Sequence, residues 1–316
     1  MISNIQDNNS DNQTLAIDIQ GLTKTYSNGV KAIENINLEV KKGEFFALLG
    51  LNGAGKTTTI GVLTGLVNKT GGKVIVAGID IDKQPALSRT HLGVVPQEFN
   101  FNMFEKVLDI VVCQGGYYGI PENIAKPRAI EILTRLGLES KLNMQARTLS
   151  GGMKRRLMIA RALIHEPEIL ILDEPTAGVD VELRIGMWDY LKEINLNRGV
   201  TILLTTHYLE EVEALCHRAA IIKKGEIVKL DTVRNLMNSL EKESYSIELK
   251  NALEIDLPGN DFGLTKIDPK TLEASLSKTQ TLNDLIALLT QNNIVVNGIR
   301  PKGNRLEELF VSVVNG

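Results

Sequence analysis

The sequence predicts an α/β protein built on a parallel sheet with a phosphate-binding loop, followed by a small α+β domain. Three stretches predict the larger part. GLNGAGKTT at 50–58 lies between an apolar strand and a helix. ILILDEP at 169–175 is a short apolar run ending in acids, as in a buried parallel strand. LSGGMKRR at 149–156 is a second glycine-rich segment that opens a helix. With 316 residues, 43% of them apolar, the chain can bury one large core and one small one.

The elements follow in order. MISNIQDNNSDNQT is polar, lacks the apolar centre of an export signal and reads as part of a disordered tail over 1–15. Leu15–Gln20 alternates apolar and polar residues and predicts a strand; Ser27-Asn28-Gly29 is a hairpin turn. Strands are expected at 36–40 and 45–49, a helix from Lys56, and strands at Gly71–Ala77 and Leu92–Pro96. From about Phe99 to Pro167 the pattern is helical, giving a helical subdomain over about 98–167. Ser150 can cap a helix running to about His165, with Leu157, Ala160, Leu163 and Ile164 inward. Strands at Ile169–Leu172 and Val200–Thr205 flank a helix at 182–196, and Ala219–Ile222 pairs with Glu226–Lys229 around Lys224-Gly225.

A domain boundary is expected near Asn238–Glu243, dividing 16–238 from 239–316. Beyond it, Tyr245, Ile247 and Leu249 alternate as a strand, as do Leu272, Ala274 and Leu276. Leu282, Leu285, Ile286 and Leu289 have helical spacing, Ile294–Val296 reads as a strand, and Leu306, Leu309, Phe310, Val313 and Val314 share one helical face with a cap from Asn304 and Glu307. The small domain is either a dimer-packing element or a regulatory ligand-binding module.

Net charge is −3, which argues against a dedicated nucleic-acid surface. Cys113 and Cys216 stand far apart and read as reduced thiols. No apolar run approaches the ~20 residues of a membrane helix, so a partner must supply any spanning part.

Gly50–Thr57 fits G-x-x-x-x-G-K-[ST]. Its glycines let backbone N–H groups wrap a phosphate at a helix N-terminus, Lys56 reaches the β- and γ-phosphates, and Thr57 ligates Mg²⁺. Asp173 and Glu174 end a strand and so face the phosphate loop at the carboxyl edge of the sheet. Asp173 is expected to hold Mg²⁺ and Glu174 to act as general base on water. Lys154, Arg155 and Arg156 lie in the first turns of a helix, where the dipole disfavours cations. Either an anion binds there or the three are simply exposed.

These motifs together resemble the ATP-binding cassette (ABC) ATPases over about residues 16–235. Gly50–Thr58 is similar to Walker A, Gln97 to the Q-loop, Leu149–Met153 to the signature, Ile169–Glu174 to Walker B, Ala177–Asp180 to the D-loop and His207 to the switch histidine. The resemblance implies a RecA-like core with an antiparallel β-subdomain and a helical subdomain. It implies that Gly50, Leu51, Asn52, Gly53, Ala54, Gly55, Lys56, Thr57 and Thr58 cradle ATP and that Tyr26 stacks on adenine. It gives Mg²⁺ to Thr57, Gln97 and Asp173, and catalysis to Glu174, His207 and Lys56. Ser150, Gly151 and Gly152 would bind the ATP of a second copy, with Asp180 at the dimer interface. Leu51 stands where the family often has Pro, and Met153 where Gln is commoner.

LSGGMKRR and the short C-terminal domain resemble most closely the ATP-binding subunits of type-2, multidrug-like ABC exporters. That resemblance implies a homodimer formed with ATP, a separate integral-membrane permease, and a peripheral position at the cytoplasmic face of the inner membrane. The alternative is a soluble ABC ATPase acting on ribosomes or nucleic acid, although no second cassette, long coiled coil or zinc cysteines are found. Three of the seven phenylalanines, Phe99, Phe101 and Phe104, follow Gln97 closely; they either anchor the partner or seat the helical subdomain on the core.

Overall fold

The computed structural model describes residues 14–176, 179, 181–239, 242–253, 262–277, 279–302, 306, 307, 309, 310 and 313. β1 (Leu15–Thr25) and β2 (Lys31–Lys41) form an antiparallel hairpin closed by Tyr26 and Val30. β3 (Phe45–Leu49) runs into the glycine-rich loop and α1 (Lys56–Leu63). β4 (Gly71–Val76) and β5 (Ile79–Asp80) complete an antiparallel sheet of order β2-β1-β4-β5. α2 (Pro85–Thr90) starts on a proline, whose fixed φ suits a first helical position. β6 (Leu92–Val95) precedes three helices, α3 (Val107–Tyr117), α4 (Glu122–Arg135) and α5 (Gly151–Leu163). Then come β7 (Ile169–Asp173), α6 (Val181–Arg198), β8 (Thr201–Thr206), α7 (Leu209–Leu215), β9 (Arg218–Lys223) and β10 (Glu226–Thr232). The second sheet has order β10-β9-β3-β8-β7-β6, with β9, β3, β8, β7 and β6 parallel.

Every residue of β3, β7 and β8 is buried, because both faces of a parallel sheet are covered. Their side chains still alternate. Phe46, Leu48, Ile169, Ile171 and Leu203 pack with Ile17, Ile19, Leu38 and Val40 of the antiparallel sheet. Phe45, Leu170, Leu172, Ile202 and Leu204 pack with Val111, Leu133, Leu157 and Leu191 of the helices. The parallel sheet is thereby clamped between two cores, and its carboxyl edge is a rigid base for chemistry.

The structure divides into two compact units between Leu230 and Asp231. In the second, α8 (Val233–Asn238) is capped by the Thr232 hydroxyl. β11 (Lys242–Leu249), β12 (Thr265–Asp268), β13 (Thr271–Ser277), α9 (Leu282–Gln291) and β14 (Val296–Pro301) follow. The sheet order is β12-β13-β11-β14. Ile247 opposes Leu272 and Tyr245 opposes Ala274, and Leu285 and Leu289 of α9 join their core. Thr281 and Asp284 form a capping box at the start of α9.

Four sequence expectations need adjustment or fall outside the described residues. The strand expected at Ile294–Val296 begins only at Val296, because Ile294 caps α9: its N–H bonds back to Leu289 O while Asn293 turns at φ 59°. Residues 97–106 lie in a loop that precedes α3, and 136–150 holds only two single-turn helices at Glu139–Lys141 and Ala146–Thr148. The short elements β5, α2, α7 and β12 carry too few residues to show a period. The cap at Asn304 and most of the tail over 1–15 lie outside the described residues; Leu306 and Leu309 are helical and buried.

Leu203→Ala removes a fully buried side chain from a central strand. It is expected to cost about 2–5 kcal/mol in urea unfolding followed by circular dichroism. A loss under about 1 kcal/mol would show that the sheet is not clamped as described.

Candidate nucleotide-binding and hydrolysis site

The glycine-rich loop is shaped by close backbone approach. A Cβ on Gly50 would sit 2.6 Å from Ile222 O, and one on Gly55, at φ 113°, 2.7 Å from Ala32 O. No side chain fits at either position, so the loop closes against β2 and β9. The Gly225 N–H donates to Ala54 O at 2.8 Å and the Glu34 N–H to Gly225 O at 2.8 Å, which pins the loop from the β9–β10 turn. α1 begins directly after Gly55, with Thr57 exposed in its first turn.

A cleft of about 300 Å³ is lined by Asn52, Gly53, Gly55, Lys56, Thr57, Thr58, Gln97, Asp173 and Glu174, with Ala32. Loop, Q-loop glutamine and strand-end acids are therefore brought together. A cavity of about 340 Å³ at the opposite, amino-terminal edge of the sheet includes Lys42, Glu168 and Arg198. Lys42 and Glu168 are already paired there, and no phosphate loop or strand-end acid reaches it. The chemistry belongs to the smaller cleft.

Lys56 is 6% exposed and its ammonium donates to Gly50 O at 2.6 Å and Leu51 O at 3.1 Å. Burial lowers its pKa, against the opposing pull of Glu174 and Asp173. Asp173, at the end of β7, accepts a hydrogen bond from the Thr205 hydroxyl. Burial raises the Asp173 pKa most; the Thr205 bond lowers it, Glu174 raises it further, and Lys56 and Arg155 oppose.

Glu174 takes a left-handed backbone conformation, φ 49°, with its N–H on Thr205 O at 2.9 Å. Such a φ is uncommon for a residue with a side chain and clusters at functional sites. The turn sets the carboxylate between two neighbours: Gln97 Nε2 donates to Oε2 at 3.2 Å, and His207 Nδ1 is 3.3 Å from Oε1. Gln97 follows β6 and His207 follows β8, so the strands on either side of β7 each send one residue to the same carboxylate.

Tyr26 lies beside the loop, its hydroxyl 3.3 Å from Thr58 Oγ1 and the Lys24 ammonium 4.8 Å from its ring centre. Ser150, Gly151 and Gly152 do not line the cleft. They start α5, where Ser150 Oγ accepts from the Met153 N–H at 3.3 Å. Asp180 lies outside the described residues, as do Ala177 and Gly178.

Sequence reasoning missed two contributors. Thr205 carries the hydrogen bond to Asp173; its signal was a hydroxyl at the carboxyl end of a fully buried strand. Arg155 is not exposed: it is 4% exposed and donates to the carbonyls of Pro96 and Gln97. Arg156 likewise donates to Leu136 O at 2.6 Å. Arg155 thus answers two carbonyls just beyond β6, and Arg156 one at the C-terminal end of α4.

Comparison with known proteins agrees with this geometry. The profile of the ABC transporter family matches residues 33–177. The linearmycin resistance ATP-binding protein of Bacillus subtilis is 34% identical over 310 residues, covering 94% of this chain and 97% of that protein. The Nod factor export ATP-binding protein I of Cupriavidus metallidurans is 39% identical over 226 residues, covering 72% and 74%. Among solved structures, a dimeric ATP-binding cassette, MJ0796, in a post-hydrolysis state with ADP and Pi superposes with a TM-score of 0.64 at 30% identity, covering 69% of this chain and 99% of that one.

A raised Asp173 pKa means that the charged carboxylate costs the folded state stability. That cost is absent below the ordinary value of 3.8, where both states are protonated, and is complete once the pH has passed the raised value. Asp173→Asn, which still accepts from Thr205, is expected to raise the nucleotide-free melting midpoint at pH 7. The gain should shrink toward pH 4. A lower midpoint at pH 7 would contradict the assigned cost.

Proposed function

Because the chain belongs to the ABC transporter family of ATP-binding proteins, we propose that it is the ATP-hydrolysing subunit of an exporter whose spanning part is a separate membrane permease. The observation that carries the hydrolytic part is Glu174, held between Gln97 and His207 beside a phosphate loop. The exporter part is supported by relatives named for linearmycin resistance and Nod factor export. These names favour export over action on ribosomes or nucleic acid. Among the described residues no helix is long and apolar enough to cross a membrane.

In this reading the loop N–H groups and Lys56 bind the ATP phosphates, and Tyr26 stacks on the base. Glu174 accepts a proton from the attacking water, Gln97 fixes the orientation of its carboxylate, and His207 faces the γ-phosphate. The residues present fit Mg²⁺. Asp173 is a buried carboxylate whose charge burial disfavours, and Thr57 offers an exposed hydroxyl. Among the described residues no group of three or more His, Cys, Asp or Glu is assembled for a metal. In this reading Thr57, Asp173 and Gln97 would hold the ion together with phosphate oxygens. When bound, Mg²⁺ neutralises phosphate charge as the γ-phosphoryl group departs.

The working form is a head-to-tail homodimer in which Ser150, Gly151 and Gly152 of one copy face the ATP of the other, with Asp180 at the interface. The placement of Ser150 outside its own cleft supports this, as does the dimeric solved relative. The permease is of the type-2 class, and the subunit sits peripherally at the cytoplasmic face of the inner membrane. Of the three phenylalanines, Phe101 packs on the helical core, whereas Phe104 is 67% exposed and is the candidate anchor for that permease.

Glu174→Gln is expected to lower ATP turnover about 100-fold or more. With Mg-ATP it should be held as a closed dimer that brings down a membrane protein in equal amount from detergent-solubilised membranes. Normal turnover in this variant, or recovery of ribosomes in place of a membrane protein, would falsify the assignment. Ser150→Arg should keep nucleotide binding and lose turnover; full turnover there removes the shared site.

A further inference from the structure

We infer that Arg155 is a positioning residue for ATP hydrolysis: from α5 it holds the Pro96–Gln97 backbone so that the Gln97 amide meets Glu174. This rests on the hydrolytic reading above. Arg155 Nη1 donates to Pro96 O at 2.7 Å and Nη2 to Gln97 O at 2.8 Å. Its guanidinium lies 5.2 Å from the Phe99 ring centre. Farther along α5, Arg161 donates to Asn100 O at 3.0 Å and also bonds the Asn100 side chain. Two arginines of one helix thus strap the whole segment 96–100.

The chemistry requires an arginine. Pro96 and Gln97 leave the sheet where β6 stops at Val95, and the fork of a guanidinium answers two successive carbonyls at once. A lysine supplies a point charge on a flexible stem. An apolar side chain of similar length would fill the space and leave both carbonyls unpaired. Burial disfavours the cation, and its Nε is buried without a partner among the described residues. The charges of Asp173 and Glu174 favour it. A buried cation kept at such cost, between the acids and the residue that touches them, holds geometry that packing alone would leave free.

The same helix carries Ser150 at its N-cap. Leu157, Met158, Ile159 and Ala160 of α5 are fully buried in the core of the helical part. Arg155 thus joins the Gln97 backbone to the helix that Ser150 caps. In the dimer this links the sensor of one ATP site to the signature end that faces the other.

The test is a kinetic double-mutant cycle on the full-length chain with Arg155→Gln, Gln97→Ala and the double variant, and with Arg155→Lys as the conservative partner. Arg155→Gln is expected to lower kcat about tenfold or more while KM and the affinity for a fluorescent ATP analogue stay within about twofold. Arg155→Lys should fall between it and the parent chain. If Arg155 acts through Gln97, the double variant turns over no more slowly than Gln97→Ala alone. Losses that multiply, a loss confined to KM and affinity, or an unchanged kcat each overturn the inference. Should Arg155→Gln fail to fold, the cycle is read with Arg155→Lys on the same criteria. Glu174→Gln is assayed alongside. If it still hydrolyses ATP, the hydrolytic reading itself is lost; if it is inactive while the cycle multiplies, only the role of Arg155 is lost.

Discussion

Lys56, Arg155, Asp173 and Glu174 are buried together at one edge of a sheet, and the rest of the site depends on meeting their demand for partners. Removing a charge from water costs several kcal/mol unless hydrogen bonds and opposite charges replace the solvent. Each of the four is met in a different way. Lys56 takes loop carbonyls, Arg155 takes the carbonyls beyond β6, Asp173 takes the Thr205 hydroxyl, and Glu174 takes Gln97 and His207. The two cations and two carboxylates also attract one another across the site. In the proposed function, a bound nucleotide would meet groups already oriented, which is where preorganised electrostatics contributes most to catalysis.

That arrangement is possible because the sheet beneath it is held from both sides. β3, β7 and β8 have no exposed face, and alternate side chains lock into two separate cores. A carboxyl edge anchored this way keeps Asp173, Thr205 and the backbone of Glu174 in fixed register. The glycine loop is set by steric exclusion at Gly50 and Gly55, where backbone from neighbouring strands occupies the space of a side chain. The left-handed turn at Glu174 is a local cost that the surrounding register sustains.

The helical part has a different character. It reaches the hydrolytic site through a few side chains of α5, not through a sheet ladder. Arg155 and Arg161 grip a loop that carries both Gln97 and the aromatic cluster, and the most exposed of those aromatics, Phe104, lies at its far end. The loop thus meets the Glu174 carboxylate at one end and presents an exposed ring at the other. The second unit has its own sheet and core and stands as an independent small domain.

The legible parts were those in which one short stretch contains its own reason. The loop at 50–58, the apolar run at 169–172 and the alternation at Tyr245, Ile247 and Leu249 each state their conformation through spacing and residue type. Ser150 was readable as a cap because capping is a contact across three residues. Arg155 and Thr205 were not readable, since their partners lie 58 or 59 and 32 residues away in the chain. The start of β14 was obscured because Ile294 serves the preceding helix, and an apolar residue after a helix looks the same as the first residue of a strand.

The sequence alone therefore determined the fold class, the phosphate loop, the strand-end acids and the family, because these depend on local spacing and on chemistry with few substitutes. Only the tertiary structure decided which core each residue of an all-apolar strand enters, that Glu174 lies between Gln97 and His207, and that a signature-helix arginine grips the Q-loop. Those outcomes depend on distances between segments far apart in the chain, and such distances exist only once the two cores have closed on the sheet.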